Sequence, residues 1–153
     1  LHLCDRRQRQ MCIRDRYVLI HDGARPCITQ KIITDSIDAV KIYSACTVGV
    51  PVKDTIKIVD EDQMGVDTPD RSRLWQVQTP QSFNRELLLT CYDGLAHDKC
   101  QVITDDTMIV ERYSSVRTKV IMGAYENLKI TTPEDLKIAS NFLKKDVDTK
   151  MVK

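Results

Sequence analysis

The residues best suited to do chemistry lie in one short stretch, His21-Asp22-Gly23-Ala24-Arg25-Pro26, directly behind the apolar run Tyr17-Val18-Leu19-Ile20. In an open α/β sheet, ligands bind at the carboxyl ends of strands. A carboxylate there can hold a divalent cation or a hydroxyl. An arginine three residues on can grip a phosphate with its planar fork. The same six residues also spell a turn, because Asp and Gly are common turn residues and Pro ends the segment. The stretch alone leaves both readings open. Four further polar blocks follow: Pro51-Val52-Lys53-Asp54-Thr55, Gln78-Thr79-Pro80-Gln81, Thr104-Asp105-Asp106 and Asn127-Leu128-Lys129-Ile130-Thr131.

The elements that must position these blocks can be read from hydrophobic spacing. Residues 17–20 read as a strand. Thr29 is a suitable cap for a helix over 29–40, with Ile32, Ile33, Ile37 and Val40 at helical spacing. The Val-rich run 45–52 reads as a buried parallel strand. Residues 55–60 alternate apolar and polar, 60–65 form a turn closed by Gly65, and 73–78 alternate again, so 55–78 reads as a β-hairpin standing off the main sheet. Asn84 caps a helix carrying Leu87, Leu88, Cys91, Tyr92 and Leu95. Thr104 is expected to cap the next helix, through Met108, Ile109 and Tyr113, with Asp105 and Asp106 complementing its dipole. Strands are expected at 117–122 and 128–130. Thr132 and Pro133 open a last helix whose buried face is Leu136, Ile138, Ala139, Phe142 and Leu143. A frayed tail is expected over 146–153. Strands alternating with helices predict a layered α/β fold with a mostly parallel sheet.

Composition narrows the classes. A chain of 153 residues, 42% hydrophobic, suits one domain with a real core. Lys and Arg number 23 against 22 Asp and Glu, so no net basic field is available to hold nucleic acid. No apolar run approaches the length of a membrane span. Cys4, Cys12, Cys27, Cys46, Cys91 and Cys100 form no C-x-x-C pair, which argues against zinc. With no secretory signal in view, a reducing cytoplasm is the default.

Taken in order, the His21–Pro26 block, the 51–55 block, Gln78-Thr79-Pro80-Gln81, Thr104-Asp105-Asp106, Asn127-Leu128-Lys129-Ile130-Thr131 and Pro133-Glu134-Asp135-Leu136 resemble the 2-C-methyl-D-erythritol 4-phosphate cytidylyltransferase family. The resemblance covers about 17–145. It implies a Rossmann-like three-layer nucleotidyltransferase fold with a protruding hairpin arm. It also implies transfer of CMP from CTP to the phosphate of methylerythritol phosphate, with release of pyrophosphate, in non-mevalonate isoprenoid biosynthesis. Mg²⁺ is the implied cofactor. A substrate phosphate oxygen is already anionic and needs no general base, which fits a chain without a Ser-His-Asp or Cys-His arrangement. By the same resemblance, Asp22 is catalytic and lies near the metal, and Lys129 reaches substrate oxygens. Gly23, Ala24, Arg25, Thr79 and Thr104 are expected on the substrate. Thr55 and Arg71 would ride on the arm into a second subunit's site, which implies a homodimer.

Two features depart from the family pattern. The chain has five Gly, none in a Gly-x-Gly cluster, so the glycine-rich nucleotide loop is not in view and the chain alone is expected to be inactive. Missing first strands would expose an edge and an apolar face of the sheet. Residues 1–16 carry five Arg and little apolar periodicity, and 11–16 resemble translated sequencing adapter. This segment is expected to be a non-native or disordered leader. Two alternatives stay open: a ribitol-5-phosphate cytidylyltransferase, which shares fold and motifs, and a non-catalytic sugar-nucleotide binding module.

Overall fold

The strand Ala45–Pro51 is the spine of the fold. Six of its seven residues are buried, as a run of small and β-branched residues with no charge permits. The computed structural model describes residues 16–98 and 102–151, with 145–151 described by their backbone alone. Six strands are present there: β1 (Tyr17–Ile20), β2 (Ala45–Pro51), β3 (Ile58–Val59), β4 (Gly65–Asp67), β5 (Trp75–Asn84) and β6 (Lys119–Met122). The helices are α1 (Gln30–Tyr43), α2 (Arg85–Ala96), α3 (Asp106–Tyr113) and α4 (Pro133–Met151). The main sheet has the order β1-β5-β2-β6. β6 runs parallel to β2, and β5 runs antiparallel to both β1 and β2. Three of its four strands therefore point the same way, with β5 inserted between them in the opposite sense. Periodicity could not reveal that reversal.

Helices cover both faces of the sheet. Alternation along β2 sends Ala45 to one face and Cys46 to the other. Ala45 packs with Phe83, Leu88, Cys91, Ile109 and Val110 beneath α2 and α3. Cys46 packs with Ala39 and Val40 of α1. Burial pushes the Cys46 thiol up to about 11, so it serves as a small apolar side chain and not as a nucleophile. The helix ends follow their sequences. Thr29 accepts from Ile32 N, and Asn84 accepts from Glu86 N and Leu87 N. Thr132 and Asp135 form a reciprocal cap, with Asp135 N donating to Thr132 Oγ1 and Asp135 Oδ2 accepting from Thr131 N and Thr132 N. No helix among the described residues is long and apolar enough to cross a membrane.

Several expected boundaries move. The arm expected over 55–78 is shorter: its hairpin is β3 and β4 alone, followed by a 3₁₀ turn at Arg71–Arg73. Residues 75–78 belong to β5, where Trp75 faces Pro51 and Gln76 faces Val50. Within the alternating stretch 73–78, residues 75–78 are the start of a main-sheet strand. Residues 128–130 form no strand, because their pairing is limited to single bonds such as Ile130 N to Ala24 O, 2.8 Å. The helical backbone runs to Met151 where a frayed tail was expected. Of the expected buried face of α4, Ala139 alone is buried, while Leu136, Ile138 and Leu143 are exposed. The reason is that α4 makes no extended packing with another helix or strand among the described residues. The expected leader lies outside the described residues except for Arg16, whose carbonyl accepts from Arg85 N.

Phe83 is fully buried between β1, β2 and the α2–α3 layer, whereas Ile42 on α1 is 73% exposed. Phe83→Ala is expected to destabilise the fold by about 3–5 kcal/mol, and Ile42→Ala by less than about 0.5 kcal/mol. Urea unfolding followed by far-UV circular dichroism checks both values. Equal effects would contradict this placement of the core.

Candidate functional site

Pro80 sits inside β5, between β1 and β2, and it has no N–H to give to a ladder. The structure accommodates it in an irregularity. Thr47 faces Gln81 and Gly49 faces Val77, so three residues of β5 (78–80) stand opposite Val48 alone. Prolines in sheets are found at such bulges, and bulges re-aim side chains. The Thr79–Pro80 peptide is cis. On the other side, β1 stops at Ile20, opposite Gln81. Two residues further on, Asp22 N donates to the Thr79 side chain at Oγ1, 3.0 Å. The Thr79 hydroxyl thus accepts a backbone amide just beyond the end of the β1–β5 ladder, and it fixes Asp22 at the strand end.

The Asp22 carboxylate is held by two cations of different character. Arg25 Nε lies 3.3 Å and Lys129 Nζ 3.2 Å from the same oxygen, Oδ2. The Arg25 side chain is only 11% exposed and also donates from Nη1 to the Asn127 carbonyl, 2.8 Å. The Lys129 side chain is half exposed. Arg25 is therefore a fixed fork, and Lys129 a charge on a stem that can reorient. His21 closes the loop. Its Nε2 lies 3.1 Å from the Arg25 carbonyl, which only accepts, so Nε2 carries the proton. In the neutral ring Nδ1 then accepts, 2.9 Å from Thr79 Oγ1.

The opposite wall is the start of α3. The cap is Asp105 and not the expected Thr104: Asp105 Oδ1 accepts from Met108 N, 2.9 Å. Gln81, nearly buried in β5, completes the job. Its Oε1 accepts from Asp106 N and Thr107 N, and its Nε2 donates to Asp105 Oδ2, 2.9 Å. The first amides of the helix are thereby satisfied within the protein, which leaves the helix end unfit as a bare anion site. Thr104, released from capping, makes one weak contact, from its hydroxyl to Met108 Sδ at 3.6 Å.

Between these walls lies a cavity of about 420 Å³ that brings together Asp22, Arg25, Thr79, Thr104 and Lys129. Five of the residues singled out from sequence thus meet in one place. Gln78, Gln81, Asp105 and Asp106 line it as well. Gln81 carried no sequence signal beyond its place in the Gln-Thr-Pro-Gln block. Gly23 and Ala24 do not line the cavity: a Cβ at Gly23 would meet open space, and Ala24 contributes its carbonyl to Ile130 N. Thr55 and Arg71 also lie outside it. Arg71 Nη1 donates to the Lys53 carbonyl, 2.6 Å, at the base of the arm. A larger cleft, about 710 Å³, runs along α4 between Pro26, Ile130, Leu136 and Leu143. Its lining is mostly apolar with Lys144 at the rim, so the smaller cavity holds the convergent charge and is the better candidate.

A model of the 2-C-methyl-D-erythritol 4-phosphate cytidylyltransferase family matches residues 10–145. The protein of that name from Lachnospira eligens is 50% identical over 129 residues, which make up 84% of this chain and 57% of the relative. The one from Caldanaerobacter subterraneus is 51% identical over 128 residues, 84% of this chain and 56% of its own. The crystal structure of 4-diphosphocytidyl-2C-methyl-D-erythritol synthase from Anaerococcus prevotii superposes with a TM-score of 0.83 at 32% identity, covering 92% of this chain and 64% of that one. The cytidylyltransferase from Thermus thermophilus gives 0.75 at 26% identity, covering 85% and 63%. The chain spans just over half the length of the curated relatives it matches.

Gln81→Leu tests how far the α3 wall depends on one amide. The substitution leaves Asp106 N and Thr107 N without their acceptor and is expected to cost about 1–3 kcal/mol. Amide hydrogen exchange at Asp106 and Thr107 should accelerate, while that of β2 and β6 keeps its wild-type pattern. Unchanged exchange at both amides would show that Gln81 does not hold the helix start.

Proposed function

The chain belongs to the 2-C-methyl-D-erythritol 4-phosphate cytidylyltransferase family, and from that premise we propose that it forms the sugar-phosphate side of a site where CMP passes from CTP to methylerythritol phosphate. The observation that carries this reading is the convergence of Asp22, Arg25, Thr79, Thr104 and Lys129 on one cavity. In the proposed reaction, a phosphate oxygen of the sugar alcohol attacks the α-phosphorus of CTP. A new P–O bond forms, the bond to the β-phosphate breaks, and pyrophosphate leaves with the electron pair. The attacking oxygen is already anionic, so no residue has to remove a proton. The protein's share is positioning and charge neutralisation.

Each residue's task follows from its setting. Lys129 swings its half-exposed ammonium from Asp22 to the substrate phosphate. Arg25, pinned at Asp22 and the Asn127 carbonyl, holds the carboxylate in place and adds fixed positive charge. Thr104, freed from capping, offers a hydroxyl. Mg²⁺ is part of the proposal. The donor set fits the usual mode for this ion, one or two carboxylates completed by substrate phosphates, with Asp22 as the protein ligand. When bound, the ion would neutralise charge on the departing pyrophosphate. The CTP triphosphate is assigned to the part of the relatives' length that this chain does not span.

The arm suggests a second subunit. Ile58, Val59, Met64 and Val66 on the small hairpin are all about half exposed or more, and an isolated two-stranded hairpin is marginal in water. We extend the proposal to a cytoplasmic homodimer in which Thr55 and Arg71 enter the partner's cavity and meet the sugar phosphate.

The reading is tested in a protein of the relatives' full length, made by joining this chain to the segment of the Lachnospira eligens protein that it does not span. Pyrophosphate release is followed with CTP, Mg²⁺ and methylerythritol phosphate. Asp22→Asn and Lys129→Ala are each expected to lower kcat/KM by about a hundred- to a thousandfold, the scale of losing one preorganised charge partner, with unchanged circular dichroism. Near-normal turnover by both variants would remove the assignment.

The trans arrangement has its own test. Arg71→Ala and Lys129→Ala subunits are refolded together. In a heterodimer, one site lacks both groups and the other has both, so activity should return to a fraction of wild type. No recovery in a sample shown to contain heterodimers would place the arm's action within its own chain or nowhere.

A further inference from the structure

Asn127 is fully buried and does not itself line the cavity. Its side-chain amide donates twice into the β5 irregularity, to the Thr79 carbonyl at 2.9 Å and to Gln78 Oε1 at 3.2 Å. Both contacts are to acceptors, so the amide orientation is fixed by chemistry. Gln78 is in turn anchored, with Nε2 donating to the Ala124 carbonyl, 2.9 Å. The Gln78 carbonyl is taken by Thr47 Oγ1, 3.3 Å. The main-chain carbonyl of Asn127 receives Arg25 Nη1. The approach is tight: a Cβ on Gly123 would stand 2.5 Å from Gln78 Oε1.

We infer that Asn127 is a positioning residue for the sugar-phosphate site, acting through Thr79. Its amide replaces the strand partner that the irregularity at 78–80 lacks and so holds the Thr79 hydroxyl under Asp22 N. Its carbonyl holds the fork of Arg25. One buried residue thus sets two of the groups that fix Asp22, Thr79 through its side chain and Arg25 through its main-chain carbonyl. The inference rests on the proposed function for its kinetic part, and on the geometry alone for its structural part.

The test uses the same full-length protein. Asn127→Ala is expected to raise KM for methylerythritol phosphate about tenfold, the size of a lost orienting hydrogen bond, and to leave KM for CTP within about twofold. A residue that merely stabilised the fold would not split the two constants. Thr79→Val removes the group through which Asn127 acts. In that background Asn127→Ala should add less than about twofold, because the two act as one unit. Gln78→Met, which keeps volume but removes one acceptor, gives the same split at smaller size and serves if Asn127→Ala does not fold. Hydrogen exchange at the Asp22 amide should accelerate in Asn127→Ala, and this readout needs no turnover. If the wild-type protein turns over no methylerythritol phosphate, the functional reading fails, and the exchange result still decides the positioning claim. Multiplicative losses in the double variant, equal changes in both KM values, or unchanged exchange at Asp22 would overturn the inference.

Discussion

The break in regular pairing at residues 78–80 of β5, where Pro80 lies, organises this site. A proline between two partners in a sheet breaks the ladder, and the broken ladder must be mended by side chains or left unsatisfied. Here three side chains take up backbone groups around the break. Thr79 Oγ1 takes Asp22 N, Thr47 Oγ1 takes the Gln78 carbonyl, and Asn127 takes the Thr79 carbonyl. Each repair draws another segment to the same point: the end of β1, the middle of β2 and the loop after β6. The cavity opens where regular pairing stops because that is where side chains, and not the backbone, decide the geometry.

Electrostatics then divides the labour. Two cations on one carboxylate oxygen would be redundant if both were fixed, but they differ in burial. The buried guanidinium loses little by staying, since it also satisfies a carbonyl. The half-exposed ammonium gives up little when it leaves, since an exposed ion pair is worth about 0–1 kcal/mol. Under the proposed function, an incoming phosphate would therefore compete with Asp22 for Lys129 at low cost. On the facing wall the logic is reversed. Gln81 and Asp105 consume the first helix amides, so under the proposed function a phosphate would be received on the lysine side of the cavity.

Much of this was legible in the sequence, for stated reasons. Apolar spacing located the strands and helices, and Thr29 and Asn84 marked helix starts because their side chains have one common use there. Asp22, Arg25, Thr79, Thr104 and Lys129 could be nominated because their blocks, taken in order, resemble those of the family. What was not legible depends on strand sense and long-range pairing. The alternation over 73–78 suits a free hairpin as well as the start of β5, to which 75–78 belong. Asp105 rather than Thr104 caps α3 because Gln81, more than twenty residues away, bonds the same turn. The exposure of Leu136 and Leu143 follows from what α4 does not pack against, which periodicity alone cannot report.

The arm and the site meet through one loop. Gly123 N bonds the Gly49 carbonyl, and the path from there to Ile130 carries Tyr125, Asn127 and Lys129 in turn. Tyr125 Oη donates to the Pro51 carbonyl, 2.9 Å, and the Lys53 ammonium lies 3.4 Å from the centre of its ring. Arg71 reaches back to the Lys53 carbonyl. Exposed cation–π contacts are worth about 0.5–1 kcal/mol each, so this clasp biases the arm's stem without locking it. Two residues further on, Asn127 is bolted into the sheet. The direction in which the arm leaves the domain and the place where Lys129 stands are thus set by the two ends of the same short segment, one exposed and yielding, the other buried and rigid. A chain that must present some residues to its own cavity and others away from it can keep both in register this way, because any shift of the loop moves them together.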